Sequence, residues 1–410
     1  MTTKPSYTPA LRFPDFLNDG EWEVKRLGEI AKVVDEKCNI GKLNIETYIS
    51  TENMLQNLEG VKKATKLPDT GSFTRFQKGD ILFSNIRPYL KKVWQAEFDG
   101  AASNDVIVFR ALSGFDFHFV SQIIKSDSFI AHTMAGAKGV KMPRGDKNMM
   151  MDYLVCIPSL AEQRRIAACL SALDEMLAAT NEKLEQMKAY KKGLMQKLFV
   201  DSMGGGKSLK INYLQISKLR FPEFYDEKEW EEKILGECFS ERTERNYNDL
   251  PLLSLTESDG IVLQEETNRK NNSNADKSKY LRVCVGDIAY NTMRMWQGRC
   301  AIVNIEGIVS PAYTICKPKQ EMDSLFFYYY FKTNDAIEKF HRNSQGLVND
   351  TLNLKYESFE KIKMFVPSLS EQHKIASCLS SMDETINAYT EKAGLLGQYK
   401  KGLMQQMFVN

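Results

Sequence analysis

The chain has 410 residues, 43 % of them hydrophobic and 26 % charged, a mixture that supports two or three buried cores and argues against disorder. Its formal net charge of +2 neither demands nor excludes a nucleic-acid partner, because a clustered basic face can hide in a nearly neutral total. No apolar run approaches the roughly 18 to 20 residues that cross a bilayer, no signal pattern opens the chain and no CxxC pair occurs, so a cytoplasmic protein with reduced thiols and no membrane contact is expected.

In chain order, LRFPDF at 11–16 comes first, and KGDILFS at 78–84 predicts a Gly-Asp turn running into a strand. SNIRPYLKK at 84–92 then sets Asn85, Arg87, Tyr89, Lys91 and Lys92 just after that strand, and DVIVFR at 105–110 predicts another. AKGVKMPRGDKN at 137–148 puts Lys138, Lys141, Arg144 and Lys147 on a Gly- and Pro-rich loop. Pro158 and Ser159 stand where a helix should begin. From Ile166 the residues Leu170, Leu173, Leu177, Thr180, Leu184, Met187, Lys191, Leu194 and Leu198 follow at alternating spacings of four and three. That 3.5-residue period specifies an amphipathic coiled-coil helix. YKKGLMQKLF at 190–199 closes it.

Residues 201–218 read as a link; GGGKS at 204–208 there lacks the first glycine of a phosphate loop, whose place Asp201 holds, and no apolar strand leads into it. The series then repeats at a shift of 208 or 209 residues: LRFPEF at 219–224, PSLSEQHKIASCLSSMDE at 367–384 for PSLAEQRRIAACLSALDE at 158–175, and YKKGLMQQMF at 399–408. Only two copies of so long a unit indicate a duplicated domain plus connector, not a solenoid. Between the matching blocks VGDIAYN at 285–291 and AYTICKP at 312–318 predict strands, and LFFYYYF at 325–331 a buried helix or strand. NTMRMWQGR at 291–299 carries Asn291, Arg294, Trp296, Gln297 and Arg299, and RNSQGLVNDTLNLK at 342–355 carries Gln345 and Asn349. The second helix shows the same ruler through Ile375, Leu379, Met382, Ile386, Tyr389, Ala393, Leu396, Lys400, Leu403 and Met407.

The expected layout is therefore a first variable domain at 1–157, a helix at 158–200, the link at 201–218, a second variable domain at 219–366 and a second helix at 367–410. Mixed strands and helices predict α/β (α+β) variable domains. Each helix of some 35 to 40 residues is roughly 50 to 60 Å long, and its natural partner is its twin. Antiparallel pairing would set the variable domains at opposite ends of a rod with pseudo-twofold symmetry. Lys191 and Lys400 interrupt the seam, and Glu162 and Glu371 at the opposite helix's beginning are their expected partners.

Catalytic signals are missing from the sequence. There are four histidines, His118, His132, His341 and His373, none at metal-ligand spacing, no methyltransferase-type glycine turn with an Asn-Pro-Pro-aromatic motif, and no nuclease-like carboxylate pair. No catalytic residue and no metal ligand is assigned, and a binding protein is expected. Arg and Lys suit phosphates or guanine, and Asn and Gln suit adenine. The same loops read equally well as solvated surface.

The two-copy plan, with GDILFSNIRPYLKKV at 79–93, SNDVIVFR at 103–110 and the doubled P-x-L-x-E-Q-x-x-I-A block at 158–167 and 367–376, resembles the specificity subunits of type I restriction-modification enzymes, the HsdS family. The resemblance covers essentially the whole chain. It implies two target recognition domains, each reading one half of a bipartite DNA target, and conserved helices that dock two methyltransferase subunits. Partners would be double-stranded DNA, those subunits and restriction subunits with motor and nuclease activity. S-adenosylmethionine, ATP and Mg would be held by the partners, none by this chain. NTMRMW replaces SNIRPY in the second half, as expected if the domains read different sequences. A coiled-coil scaffold, or a single chain that both reads and methylates, are the competing classes.

Overall fold

The computed structural model describes residues 7–39, 41, 43–199, 219–256, 260–267, 276–346 and 351–409. The link with its GGGKS segment lies outside them, as does Asn349. The chain forms two compact units, Met1–Lys183 with Tyr389–Asn410, and Leu184–Ala388.

In the first unit a four-stranded antiparallel sheet runs in the order Ala31–Val33, Val106–Ala111, Ile81–Ser84, Val93–Gln95. All four residues of Ile81–Ser84 are buried, because this strand is covered on both faces and alternate side chains feed different cores. Ile81 and Phe83 join Phe119, Ile123 and Phe129 of the helices Phe117–Lys125 and Asp127–Ala135. Leu82 joins Phe76, Trp94 and Val108 on the other side. A second sheet, Lys37–Asn39, Ser72–Phe76, Gly100–Ala102, Tyr48–Ile49, backs that core. The strand Glu23–Arg26 pairs with Leu154–Ile157, so the domain closes immediately before the long helix.

The second unit repeats the order with Phe239–Glu241, Tyr313–Pro318, Ile288–Asn291 and Cys300–Ile302, and Glu231–Ile234 pairs with Lys363–Val366. The aromatic run forms the helix Ser324–Tyr330. In the place of the first unit's second sheet, Leu253–Leu255 pairs with Ile261–Leu263 and Leu281–Val283 with Gly307–Val309, and a parallel bridge between Leu252 and Ile308 joins the two pairs. Gly79 and Gly286 take φ of +93° and +90°, which the predicted turns require. The adjacent Asp80 and Asp287 are clamped by Arg110 at 2.6 Å and Arg242 at 2.7 Å. The arginines come from neighbouring strand positions of the two sheets, one inside Val106–Ala111 and one just after Phe239–Glu241.

The helices Leu160–Leu198 and Leu369–Met407 have 39 residues each. In the first unit Ile166, Ala167 and Leu170 pack with Leu403, Met404 and Met407, and Asp174 meets Lys400 at 2.5 Å. In the second, Ile375, Ala376 and Leu379 pack with Leu194, Met195 and Leu198, and Asp383 meets Lys191 at 2.5 Å. Rising numbers meet falling ones, so the packing is antiparallel in each unit. Ile166, Leu170, Leu184, Ile375 and Leu379 are buried, and Leu173, Leu177, Met382, Ile386 and Leu396 are partly buried.

The expected lysine partners are wrong. At the register set by Asp383 and Lys191, Glu371 falls about three turns further on, past the end of the first helix at Leu198. Glu371 is instead held by Arg220 at 2.8 Å, and Glu162 by Arg12 at 2.8 Å. Those arginines belong to the two LRFP segments. Each segment also bonds a long-helix end: Leu11 N donates to Gln406 O at 2.9 Å and Leu219 N to Lys197 O at 3.0 Å.

Candidate nucleic-acid interface

After the strand Ile81–Ser84 the first unit's chain bends away from the sheet. Asn85 N donates to Asp105 O at 2.8 Å and Arg87 N donates to Pro143 O at 2.9 Å. Ile86 bridges Arg144, and Arg144 in turn bridges Lys138, with reciprocal N–H to carbonyl bonds of 2.9 Å closing a hairpin. Two segments far apart in sequence, 84–92 and 137–148, thus become one surface. Gly145 lies where an added Cβ would come within 2.3 Å of Met150 Cε and 2.6 Å of Thr133 Cγ2, so only glycine lets the hairpin approach this closely.

Arg87 and Lys91 both adopt left-handed backbone, with φ of 52° and 49°. Such conformations cost on the order of 1 kcal/mol or more for a side chain with a Cβ and concentrate at working loops. Asn85 Oδ1 and Arg87 Nε are buried without a hydrogen-bond partner among the described residues, which also marks the segment as more than packing.

The basic side chains divide by what holds them. Lys91 pairs with Asp127. Lys92 Nζ donates to Thr51 O at 2.6 Å, and burial lowers its pKa; these two lysines brace the loop. Arg144 leans on Asp105 at 3.0 Å and Lys138 on Asp146 at 3.6 Å, yet both remain exposed. Asp146 accepts from Met149 N and Asn148 N at the start of Lys147–Met151, and those backbone donors hold its carboxyl below the usual range. Lys141, Lys147 and Tyr89 are exposed.

The second unit builds the same junction with different residues. Thr292, next after Asn291, accepts from Leu354 N at 2.9 Å, and Gln345 and Asn353 exchange bonds of 2.9 and 2.8 Å. Asn291 Oδ1 caps the turn by accepting from Met293 N at 3.0 Å. Trp296 donates to Met293 O at 3.1 Å and meets His341 of the helix Asn334–Asn343 edge-on. Arg294, Arg299 and Gln345 are exposed. Gln297 Oε1 and Asn353 Oδ1 are buried without a hydrogen-bond partner among the described residues.

Sequence reasoning missed Asp105, Val140, Met142, Thr292 and Asn353. Asp105 stands beside a strand and gives no signal of a strut for Arg144. Val140 and Met142 alternate with Lys138 and Lys141, a pattern that could have been noticed. Among the described residues no cluster of three or more His, Cys, Asp or Glu side chains is placed to hold a metal, and no helix is long and apolar enough to cross a membrane.

A family model for the type I restriction modification DNA specificity domain matches residues 19–189 and 227–395. The chain is 23 % identical over 415 residues to the type I restriction enzyme MjaVIII specificity subunit of Methanocaldococcus jannaschii, across 96 % of this chain and 92 % of that one. It is 24 % identical over 412 residues to the putative MjaX specificity subunit of the same organism, across 94 % and 92 %. The crystal structure of a type-I restriction-modification S subunit from M. genitalium superposes with a TM-score of 0.63 at 17 % identity, over 98 % of this chain and 99 % of that one, a likeness of fold.

Proposed function

The chain belongs to the type I restriction modification DNA specificity family, and from that premise we propose that it is the sequence-reading subunit of a type I restriction-modification complex. Each unit reads one half of a bipartite DNA target. The observation that carries this is the junction made twice over: a strand-end segment and a hairpin segment, both rich in Arg, Lys, Asn and Gln, are fastened together in each unit by backbone hydrogen bonds. Their side chains differ between the units, which suits two different half-sites. Cationic groups there position phosphates, and amides and guanidinium forks read base edges.

The chain itself is proposed to be non-catalytic. Methyl transfer and cleavage fall to partner subunits, which would bind S-adenosylmethionine, ATP and Mg. The long helices are the proposed docking surface for two methyltransferase subunits.

Competition binding by the purified complex, on a target found by mapping methylated adenines, tests the reading. Arg144→Ala and Lys141→Ala should each weaken specific binding by about 1 to 3 kcal/mol if the side chain meets a base. If it meets phosphate, all sequences weaken alike and the salt slope falls by about 1. Unchanged affinity and unchanged slope for both variants, and for Arg294→Ala, would remove the assignment.

A further inference from the structure

We propose that the tip of the Lys138–Arg144 hairpin reads a thymine in the major groove through an apolar side chain, that of Val140. This deepens the DNA-reading role and rests on it. Val140 is fully solvent-exposed at 103 % and Met142 is 49 % exposed, while Lys138 and Lys141 beside them are exposed too. The tip is not slack chain. Gly139 turns it at φ +97°, the Lys138 and Arg144 backbones exchange two bonds of 2.9 Å, and Arg87 N holds Pro143 O.

An apolar apex inside a cationic collar needs a ligand with the inverse pattern. The Lys138–Arg144 segment is a narrow loop closed by a single bridge, slim enough to enter the major groove, which is roughly 12 Å wide with phosphates lining the rim. On the groove floor the base edges present donors and acceptors, and the apolar group among them is the thymine C5-methyl. Phosphate alone would satisfy Lys138 and Lys141 and leave Val140 with no counterpart. Val140 therefore supplies discrimination, and the lysines supply attraction.

The test replaces each thymine of the bipartite target in turn by uracil, which keeps every base-pairing group and lacks only that methyl. Binding is measured with the full chain in complex with its methyltransferase subunits. For the unaltered protein, one uracil position should weaken binding about fourfold, the equivalent of roughly 0.8 kcal/mol for one buried methyl-sized group. Val140→Ala should weaken binding to the thymine duplex by a similar factor and respond to that uracil no further. Because Val140 is exposed, its melting temperature should not move.

If Val140→Ala keeps the full uracil response at every position, the tip reads no methyl group, although DNA reading stands. Equal weakening on target and unrelated DNA would make it a backbone contact, and loss of a subunit from the complex would make it a protein contact. Either result overturns the proposal. Absence of any preference for the mapped target overturns the DNA-reading role itself.

Discussion

Arg12 and Arg220 show what one side chain can fasten. Arg12 forks both oxygens of Glu162 at 2.8 Å and donates to the carbonyls of Asp19 and Gly20 at 2.6 and 3.1 Å. Arg220 does the same for Glu371, Glu227 and Lys228. The carboxylates are 1 % exposed at their side chains, so removing the guanidinium strands a buried charge. Arg12→Ala should cost about 3 kcal/mol in urea unfolding, and Arg12→Lys should recover only part, since an ammonium cannot make the fork. Loss of under about 0.5 kcal/mol, the ordinary surface value, would show that the pair is solvated. The cysteines give an independent check of the second core. Burial pushes the Cys238 thiol up to about 11 and the Cys300 thiol up to about 12. Since the thiolate is the nucleophile, iodoacetamide at neutral pH should leave both unmodified in the native protein and label both after unfolding.

At the scale of elements, a carboxylate–lysine joint fastens the paired helices in each unit. Asp383 accepts from Lys191 and from Tyr329 OH at 2.7 Å, with the Lys191 ammonium 4.8 Å from the Tyr329 ring centre. Asp174 accepts from Lys400 and from Gln122 Nε2 at 3.2 Å. One carboxylate thus ties both long helices to a helix of the recognition domain. Asp383→Ala should destabilise by about 1 to 2 kcal/mol, because the Lys191 side chain is only 16 % exposed while Asp383 at 37 % is partly screened by solvent. Leu177→Asp or Ile386→Asp should loosen the seam and, on the proposed docking role, lose the methyltransferase subunits together; full stoichiometry by native mass spectrometry would refute that role. The seam was legible in sequence because a 3.5-residue period needs no tertiary information. The strands Ile81–Ser84 and Tyr313–Pro318 were legible for a similar local reason. The partners of Lys191 and Lys400 were not, since register depends on where the opposing helix ends. Nor could the sequence show that 84–92 and 137–148 meet, because the bonds that join them run through backbone atoms that every residue possesses.

For the whole molecule the consequence of duplication is interchangeability. In the first unit, Ile166 and Leu170 are covered by Leu403 and Met407 from the chain's far end. A fragment of residues 1–200 lacks that cover. The repeat places Leu194, Leu198 and Lys191 at the positions of Leu403, Met407 and Lys400, so a second copy of the fragment can supply the same apolar side chains and the same lysine for Asp174. Burying the seam drives self-association, and two identical halves then face each other through a true twofold axis. A symmetric reader demands a symmetric site: the split asymmetric target becomes an inverted repeat of the first half-site. Adenine-methylation mapping in cells expressing the fragment with the cognate methyltransferase subunit measures this. Palindromic sites are the expected result, whereas a dimeric fragment that still directs methylation to the original asymmetric target would falsify the assignment of one domain to one half-site.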